Sequence, residues 1–421
     1  MAGIDRRLFL GSSLGAALAS TSPLVKAKTR SDNPSEQIHF ALIGAGGQGR
    51  HDSGKLLQQP NVRLTAVCEI NPINVEHTKQ IAPNANFYTD WKEMLAKESD
   101  LQAVLVALPE HTHAEATIDS LNAGKHVFCE KPMAYSLEQS RAMLEARDRN
   151  QCVLQIGQQR RSNPLYYLAE RLVRQEGLIG DIIRIDAFWD RSADWKVGVP
   201  DIDQDFSKWG FPTVNHLINW RLFREYGHGL MTENGTHQMD AASWLLGDRR
   251  PQRVCGLGVS QYRDERETYD ICTAEYLFDG DVIVRFSQDF HQGFNYQWSY
   301  GELLLGSEGA IRITAEQELV HYDPSRRARK IPIEEIGDEF QIAGVTCYKD
   351  EMTKAEEDRQ GGGLRTFSYF NEMRIFVDCI RNNRQPACTG EIGHNSIAYT
   401  ILGAEAQYAN EYREFDEMTF V

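Results

Sequence analysis

The chain has 421 residues, too many for one ordinary hydrophobic core, so two domains are the first expectation. Its composition, 41% hydrophobic and 25% charged, is that of a globular protein. A formal net charge of −15 excludes the broad basic surface that nucleic acid or an anionic membrane would require, and it leans toward a neutral small substrate or plain solubility.

The N-terminus reads MAGIDRRLFLGSSLGAALASTSPLVKAKTRSDNPSEQ. Arg6 and Arg7 precede an apolar, small-residue stretch from Leu8 to Ala19. Val25-Lys26-Ala27, or the earlier Ala17-Leu18-Ala19, offers a small-x-small cleavage site. This layout is that of a removable signal, and the paired arginines with Phe9 resemble the bacterial twin-arginine export signal. Asp5 and Gly11 stand where that signal usually has Ser or Thr and Lys. Residues 1–35 are therefore expected to be signal and polar linker, with a periplasmic mature protein that keeps no membrane attachment. No other apolar run approaches the ~20 residues that spanning needs. Eight scattered cysteines form no C-x-x-C pair, so buried thiols and no metal site are expected.

Next comes an alternation of β-rich runs and helical patterns. IHFALIG (Ile38–Gly44) is continuously apolar, as a parallel strand buried on both faces requires. VRLTAVCE (Val62–Glu69), LQAVLVALP (Leu101–Pro109), HVFCE (His126–Glu130) and CVLQIG (Cys152–Gly157) repeat the style, with helical stretches such as His113–Gly124 between them. This predicts an α/β domain over residues 36–158 with a doubly wound parallel sheet. Beyond it the texture changes. Helical Pro164–Gly177 leads to a strand over Asp181–Asp190, an aromatic-rich irregular region and a helix over Gly235–Gly247. Alternating runs over Arg253–Tyr262, Asp270–Phe290 and Ser299–Thr314, with an Asp-Gly hairpin at Phe278–Asp281, predict a mostly antiparallel open sheet. Helices over Tyr369–Pro386 and from about Asn395 close an α+β domain spanning 159–421.

ALIGAGGQGRH places Gly44, Gly46 and Gly49 in G-x-G-x-x-G order between a strand and a helix. Gly44 would make the tight turn, Gly46 admit a pyrophosphate to the backbone, and Gly49 let the helix close on the sheet. Glu69, at the end of the second strand, is placed for ribose hydroxyls, which favours NAD over NADP because a carboxylate repels a 2′-phosphate. In GKHVFCEKPMAYS, Lys131 falls at the carboxyl end of a parallel strand, the edge that lines the ligand crevice, and Glu130 beside it is a candidate to hold the ammonium. Glu233 and His237, four residues apart at the start of a helix, suit a carboxylate that orients a histidine base. Asp240 and Trp244 continue the same helical face.

These pieces together resemble the Gfo/Idh/MocA family of oxidoreductases. The match is carried by GAGGQG, CEIN, YTDWKEML, VLVALPEHTHAEATIDSLNAGKHVFCEKPMA, GQQRRSNP, GLMTENGTHQMDAASWLLG and YFNEMRIFVDCIRNNRQPACTGEIGHNS, over about residues 37–415. The resemblance implies a Rossmann domain plus an α/β domain with a large open sheet. It implies an NAD site that includes Gly47, Gln48, Pro109, His113, Glu130 and Lys131 beside the residues above. It also implies Lys131 as the lysine that polarises the reacting oxygen, and His237 as the acid/base. The dehydrogenases usually carry Asp where Glu233 stands. NAD-dependent, redox-neutral glycosidases of the same family often carry Glu there but lack the E-K-P lysine, so the chain has features of both branches.

Trp189, Trp195, Trp209 and Trp220 crowd into 32 residues among polar neighbours, a mixture that suits a sugar or cyclitol. Arg160, Trp195, Trp220, Arg221 and His228 are the expected substrate contacts. Export of a folded protein to a compartment without a free NAD pool implies a tightly retained cofactor recycled in each turnover. That leaves a sugar or cyclitol oxidoreductase, a redox-neutral glycosidase, or a non-catalytic nucleotide-binding relative, in each case a homo-oligomer joined through its open sheet.

Overall fold

The apolar runs of the first third form one parallel sheet in the computed structural model, which describes residues 37–192, 194–291, 299–325, 328–331, 339–342, 345–348, 363–416 and 418–421. The expected export signal and linker lie outside the described residues. The sheet is built from β1 (Ile38–Ile43), β2 (Val62–Cys68), β3 (Asn86–Tyr88), β4 (Ala103–Val106), β5 (His126–Cys129) and β6 (Leu154–Ile156). Their order, 3-2-1-4-5-6, reverses between β1 and β4, and every pairing is parallel. That reversal opens a crevice at the carboxyl ends of β1 and β4, where open α/β sheets bind ligands.

Helices α1 (Gly47–Leu56), α2 (Pro72–Ile81), α3 (Trp91–Lys97), α4 (His113–Asn122) and α5 (Leu137–Asn150) connect these strands. Their starts are legible in the chain: Asn71 accepts from the Ile73 amide with Pro72 at the first helical position, Asp90 accepts from two amides of α3, and Ser136 accepts from Gln139. All four residues of β4 are buried, which is why it reads as an unbroken apolar run.

After α6 (Pro164–Glu170), which continues as one wider π turn over Arg171–Gln175, the chain enters a second sheet. Here β7 (Ile182–Asp190), β8 (Pro251–Val259), β9 (Ile271–Phe278), β10 (Val282–Asp289), β11 (Tyr300–Gly306), β12 (Ala310–Thr314), β13 (Glu318–Tyr322) and β14 (Arg329–Ile331) are joined by a two-residue edge strand at Arg413–Glu414. Only β7 and β10 run parallel; the other pairs are antiparallel. In β9 and β10 burial alternates residue by residue, so one face is covered and one is open. The Asp-Gly signal becomes a three-residue hairpin, with Gly280 and Asp281 in the left-handed region that such a loop needs.

The covered face packs on α9 (Gly235–Leu245), in which every residue is buried. It follows two short helices, α7 (Val214–Ile218) and α8 (Leu230–Glu233). The last two helices are α10 (Leu364–Asn382) and α11 (Gly390–Ala409); each begins about five residues earlier than its sequence pattern suggests. For α11 the reason is the Thr389 cap, whose side chain accepts from Ile392. Both helices return to the first sheet. Phe376 of α10 meets Phe128 edge-to-face at 5.9 Å, while Ile397 and Ile401 of α11 join the core under β6. Ala398 and Leu402, one residue on, join the core of the large sheet, so one helix ties the two halves together.

Candidate active site

The glycine loop has the geometry its sequence implies. Gly44 has φ +91°, and a Cβ there would lie 2.3 Å from the Ala107 carbonyl oxygen. A Cβ on Gly49 would lie 2.1 Å from the Gly44 carbonyl oxygen, so both positions exclude a side chain. Around Gly46 and Gly47 there is open space instead. Helix α1 starts there with no side-chain cap and no acidic residue in its first turn, leaving its amides directed at an anion. Glu69 accepts from the amides of Ala45, Ile70 and Asn71 at 2.8 Å each and from Asn74 at 3.4 Å, so it braces the loop. Burial nevertheless raises its carboxyl above the ordinary value.

A cleft of about 860 Å³ runs from this loop to the second domain. It is lined by Gly44, Gly46, Gly47, Gln48, Glu69 and Pro109 at one end, and by Lys131, Trp220, Arg221 and Glu233 at the other. The open glycine cradle, the free helix end and the acid at the second strand fit a dinucleotide. Gly49 lies beneath this surface as a packing residue.

Lys131 closes the β5 strand end through a cis peptide to Pro132. Its Nζ donates to the Glu233 carbonyl oxygen at 2.7 Å and lies 3.6 Å from Glu233 Oε2. Arg221 Nε donates to the same Oε2 at 2.9 Å. Burial alone would raise the Glu233 carboxyl; the Arg221 and Lys131 charges outweigh it and hold the group below the usual carboxylate range.

Two expectations change here. Glu130 does not hold the lysine ammonium: its Oε2 accepts the Lys131 backbone amide at 2.9 Å, while the ammonium reaches across to the second domain. Glu233 does not orient His237 either. Its extra methylene carries the carboxylate to the two cations, and His237 Nδ1 is buried without a hydrogen-bond partner. Burial, then the charges of Lys131, Arg160 and Arg365, hold the His237 imidazole well below its ordinary range, so it is neutral at neutral pH. Its ring lies 5.7 Å from that of Trp189, and the residue is 5% exposed. Asp240 and Trp244, on the same helix, are structural: Asp240 pairs with Arg161 at 2.9 Å and Trp244 packs edge-on against Tyr167.

Two buried acids near Lys131, Asp52 and Glu110, were not anticipated. Asp52 of α1 is pushed up to about 7, first by burial, with hydrogen bonds from Glu130 and Gln48 opposing. Glu130 is raised well above its usual value by burial and by Asp52. Two carboxyl groups this close hold a proton between them. Glu110 is fully buried and accepts from Thr232 Oγ1 at 3.1 Å; burial and the Glu233 charge push it well up. The signal available was an acid on the inward face of the glycine-loop helix, and another in LPEHTH, where solvent exposure would otherwise be assumed.

The expected substrate contacts divide. Trp220 and Arg221 line the cleft. Arg160 does not: at 1% exposure its guanidinium pairs with Glu302 and, at 3.4 Å, with Glu316. His228 stacks on Tyr135 at 4.2 Å and its Nε2 bonds the Tyr135 carbonyl, so it locks a loop. Trp195 packs edge-to-face on Phe290 at 4.9 Å and lies 5.7 Å from the guanidinium of Arg221. His113 borders the cleft, but its two ring nitrogens face the Pro132 and Leu108 carbonyls at 2.7 and 2.8 Å; it fastens the β4 and β5 loops together and is not free to contact a cofactor. The seven cysteines with described side chains are free thiols.

Comparison with known proteins follows the same division of the chain. Residues 38–158 match the family description "Oxidoreductase family, NAD-binding Rossmann fold", and residues 202–412 match "Oxidoreductase family, C-terminal alpha/beta domain". The scyllo-inositol 2-dehydrogenase (NAD(+)) of Bacillus subtilis is 24% identical over 365 residues, 84% of this chain and 89% of that protein. The levoglucosan dehydrogenase of Pseudarthrobacter phenanthrenivorans is 27% identical over 222 residues, 51% of this chain; the match spans about half that relative's length, 52%. Among solved structures, an inositol dehydrogenase homologue of Azotobacter vinelandii, complexed with NADH and myo-inositol, superposes with a TM-score of 0.70 at 17% identity. That superposition covers 90% of this chain and 98% of the other.

Proposed function

The chain belongs to the Gfo/Idh/MocA family of NAD-binding oxidoreductases, and on that premise we propose that it transfers hydride between NAD and a hydroxyl-bearing carbon of a sugar, sugar derivative or cyclitol. The observation that carries this reading is Lys131. Its ammonium stands at the crevice edge of the nucleotide-binding sheet, in the wall of the cleft that begins at the glycine loop, and is pinned by Glu233 of the second domain. Gly44, Gly46, Gly47, Gln48, Glu69 and Pro109 would hold the cofactor, which supplies the hydride acceptor when bound. Lys131 Nζ spends one donor on the Glu233 carbonyl and has others for the reacting oxygen. The Glu233 carboxylate, itself clamped by Arg221, lies 3.6 Å from the ammonium and fixes its position. The neutral His237 imidazole takes the hydroxyl proton. Two relatives are named for polyol substrates, an anhydrosugar and a cyclitol, which supports this class.

Lys131→Met tests the assignment: NADH affinity should stay within threefold while turnover falls at least a thousandfold. Retained turnover would remove the lysine from the mechanism.

The cofactor is retained between turnovers on this reading. In support, the segment before α8 reaches over the nucleotide half of the cleft: Gln204 Nε2 donates to the Ile70 carbonyl at 3.4 Å and Trp209 Nε1 to the Thr89 carbonyl at 3.3 Å. Dialysis that strips the nicotinamide would end this idea. Retention together with Glu at position 233 also favours a second reading, redox-neutral glycoside cleavage. Free sugars and aryl glycosides, followed for nicotinamide absorbance and aglycone release together, separate the two; neither signal would indicate a nucleotide-binding relative without activity. We further propose a homo-oligomer through the open face of the large sheet, supported by exposed Leu257, Val259 and Ile283, and export by the twin-arginine route. Sedimentation and fractionation of the producing cell test these two.

A further inference from the structure

Arginines near the reacting end differ in whether a carboxylate answers them. Arg160 is paired with Glu302 and Glu316, Arg161 with Asp240, and Arg266 with Asp194. Arg191 and Arg365, both half-buried, have no carboxylate within ion-pair distance among the described residues. Each guanidinium instead lies by an aromatic ring: Arg191 is 5.5 Å from the Phe290 centroid and Arg365 is 5.5 Å from that of Tyr300. Phe290 meets Trp195, which carries Arg221 at 5.7 Å, and Tyr300 stacks on Trp189, which adjoins His237. Arg191 follows β7 two residues after Trp189, on the parity that faces inward.

A cation without an ion-pair partner is costly to hold out of water, and here only longer-range charge relieves it: Asp194 for Arg191, and Tyr300 and Glu316 for Arg365, whose guanidinium is held above its ordinary value. Arg191 registers that cost: burial first, then Arg365 and Arg221, hold it below the ordinary guanidinium value. Aromatic faces relieve only part of it. An anion would complete the arrangement, and the ring contacts through Trp189 and Trp195 put it next to His237 and Arg221, where a substrate group would lie.

We propose that Arg191 and Arg365, with the free fork of Arg221, form an oxyanion-binding subsite, so that the substrate is a sugar or cyclitol derivative bearing a carboxylate or a phosphate. This rests on the hydride-transfer reading above and narrows its substrate class. It also reverses the lean toward a neutral substrate drawn from the net charge, because local and global charge differ here. Planar guanidinium groups bind carboxylate and phosphate in the same bidentate fashion, so the chemistry is shared and the source is decided by experiment.

The test is equilibrium binding to the cofactor-loaded enzyme, read by tryptophan fluorescence. The probes are glucose, galactose and mannose, each with its aldonate, uronate and 6-phosphate. For at least one configuration a charged member should bind at least tenfold tighter than its neutral parent, and the preference should fall with added salt. Arg191→Met and Arg365→Met should each bring the two within threefold, with Arg191→Lys retaining part of the preference; NADH titration confirms that each variant is folded. An aldonate or uronate preference identifies the carboxylate, and a 6-phosphate preference identifies the phosphate. No charged preference in any configuration, or one that survives both Met substitutions, overturns the subsite. The broader reading fails separately, if charged ligands bind with this preference yet neither they nor the neutral sugars change nicotinamide absorbance.

Discussion

Replacing Glu233 by Gln removes one charge from between two cations while keeping the side chain's shape. In the native arrangement Glu233 is 4% exposed, with Arg221 Nε at 2.9 Å and Lys131 Nζ at 3.6 Å from its Oε2. Breaking a buried pair by deleting one partner costs roughly 3–5 kcal/mol, because the remaining charge is stranded. The Arg221 side chain is 37% exposed and can recover water, so about 2–3 kcal/mol is the expected loss here. With an unfolding entropy of about 2.1 cal/mol/K per residue over 421 residues, each kcal/mol shifts the midpoint by roughly 1 °C, so the apparent melting midpoint at pH 7 should fall by about 2–4 °C.

The carboxyl of Glu233 is depressed in the folded protein, so its contribution is complete above the ordinary value of 4.5 and disappears as pH falls through the lower folded value. Scanning calorimetry of both proteins from pH 3 to 8 should therefore show the two midpoints converging only in acid. Equal midpoints at pH 7 would refute the stabilising role. An unchanged melting curve with selective loss of the His237 limb in the pH–rate profile would show instead that Glu233 orients the imidazole.

Other outcomes follow from neighbouring geometry. Gly44→Ala places a methyl 2.3 Å from a backbone oxygen at φ +91°, so it should destabilise by about 1–3 kcal/mol and weaken NADH binding at least tenfold in a fluorescence titration. Gly46→Ala meets open space; it should leave the melting midpoint within 1 °C by about the precision of such a scan, yet still weaken NADH, since the methyl stands where the pyrophosphate approaches. Arg160→Met strands Glu302 and Glu316 and should cost about 3–5 kcal/mol in urea denaturation, with substrate KM unchanged in the folded fraction; a raised KM at unchanged stability would return Arg160 to the substrate site. Asp52 is raised in the folded state from 3.8 to about 7, so its contribution is complete below 3.8 and is lost as pH rises through about 7. Asp52→Asn should therefore gain on the wild type between pH 5 and 8 in urea midpoint, and parallel pH profiles would contradict the shared proton.

The nucleotide half was legible because local rules govern it. Short apolar runs that alternate with helical patterns and end at glycine or proline read as strands buried on both faces. The glycine spacing encodes a backbone path, and a lysine at a parallel strand's carboxyl end lies at the crevice wherever the chain goes next. The Gly235–Gly247 helix and the alternating strands of the second domain were legible for the same reason. Side-chain partners were not. Arg160 and Arg221 look alike in sequence, and only the approach of Glu302 and Glu316 from distant strands makes the first structural, while the second faces the cleft beside Glu233. Glu233 sits four residues before His237, the spacing of an orienting pair, but Lys131 from 102 residues away and Arg221 claim its carboxylate first. Sequence thus determined what depends on backbone periodicity and on chain-local geometry. Tertiary structure alone decided which charge meets which, because a carboxylate turns to whichever cation the fold brings within reach.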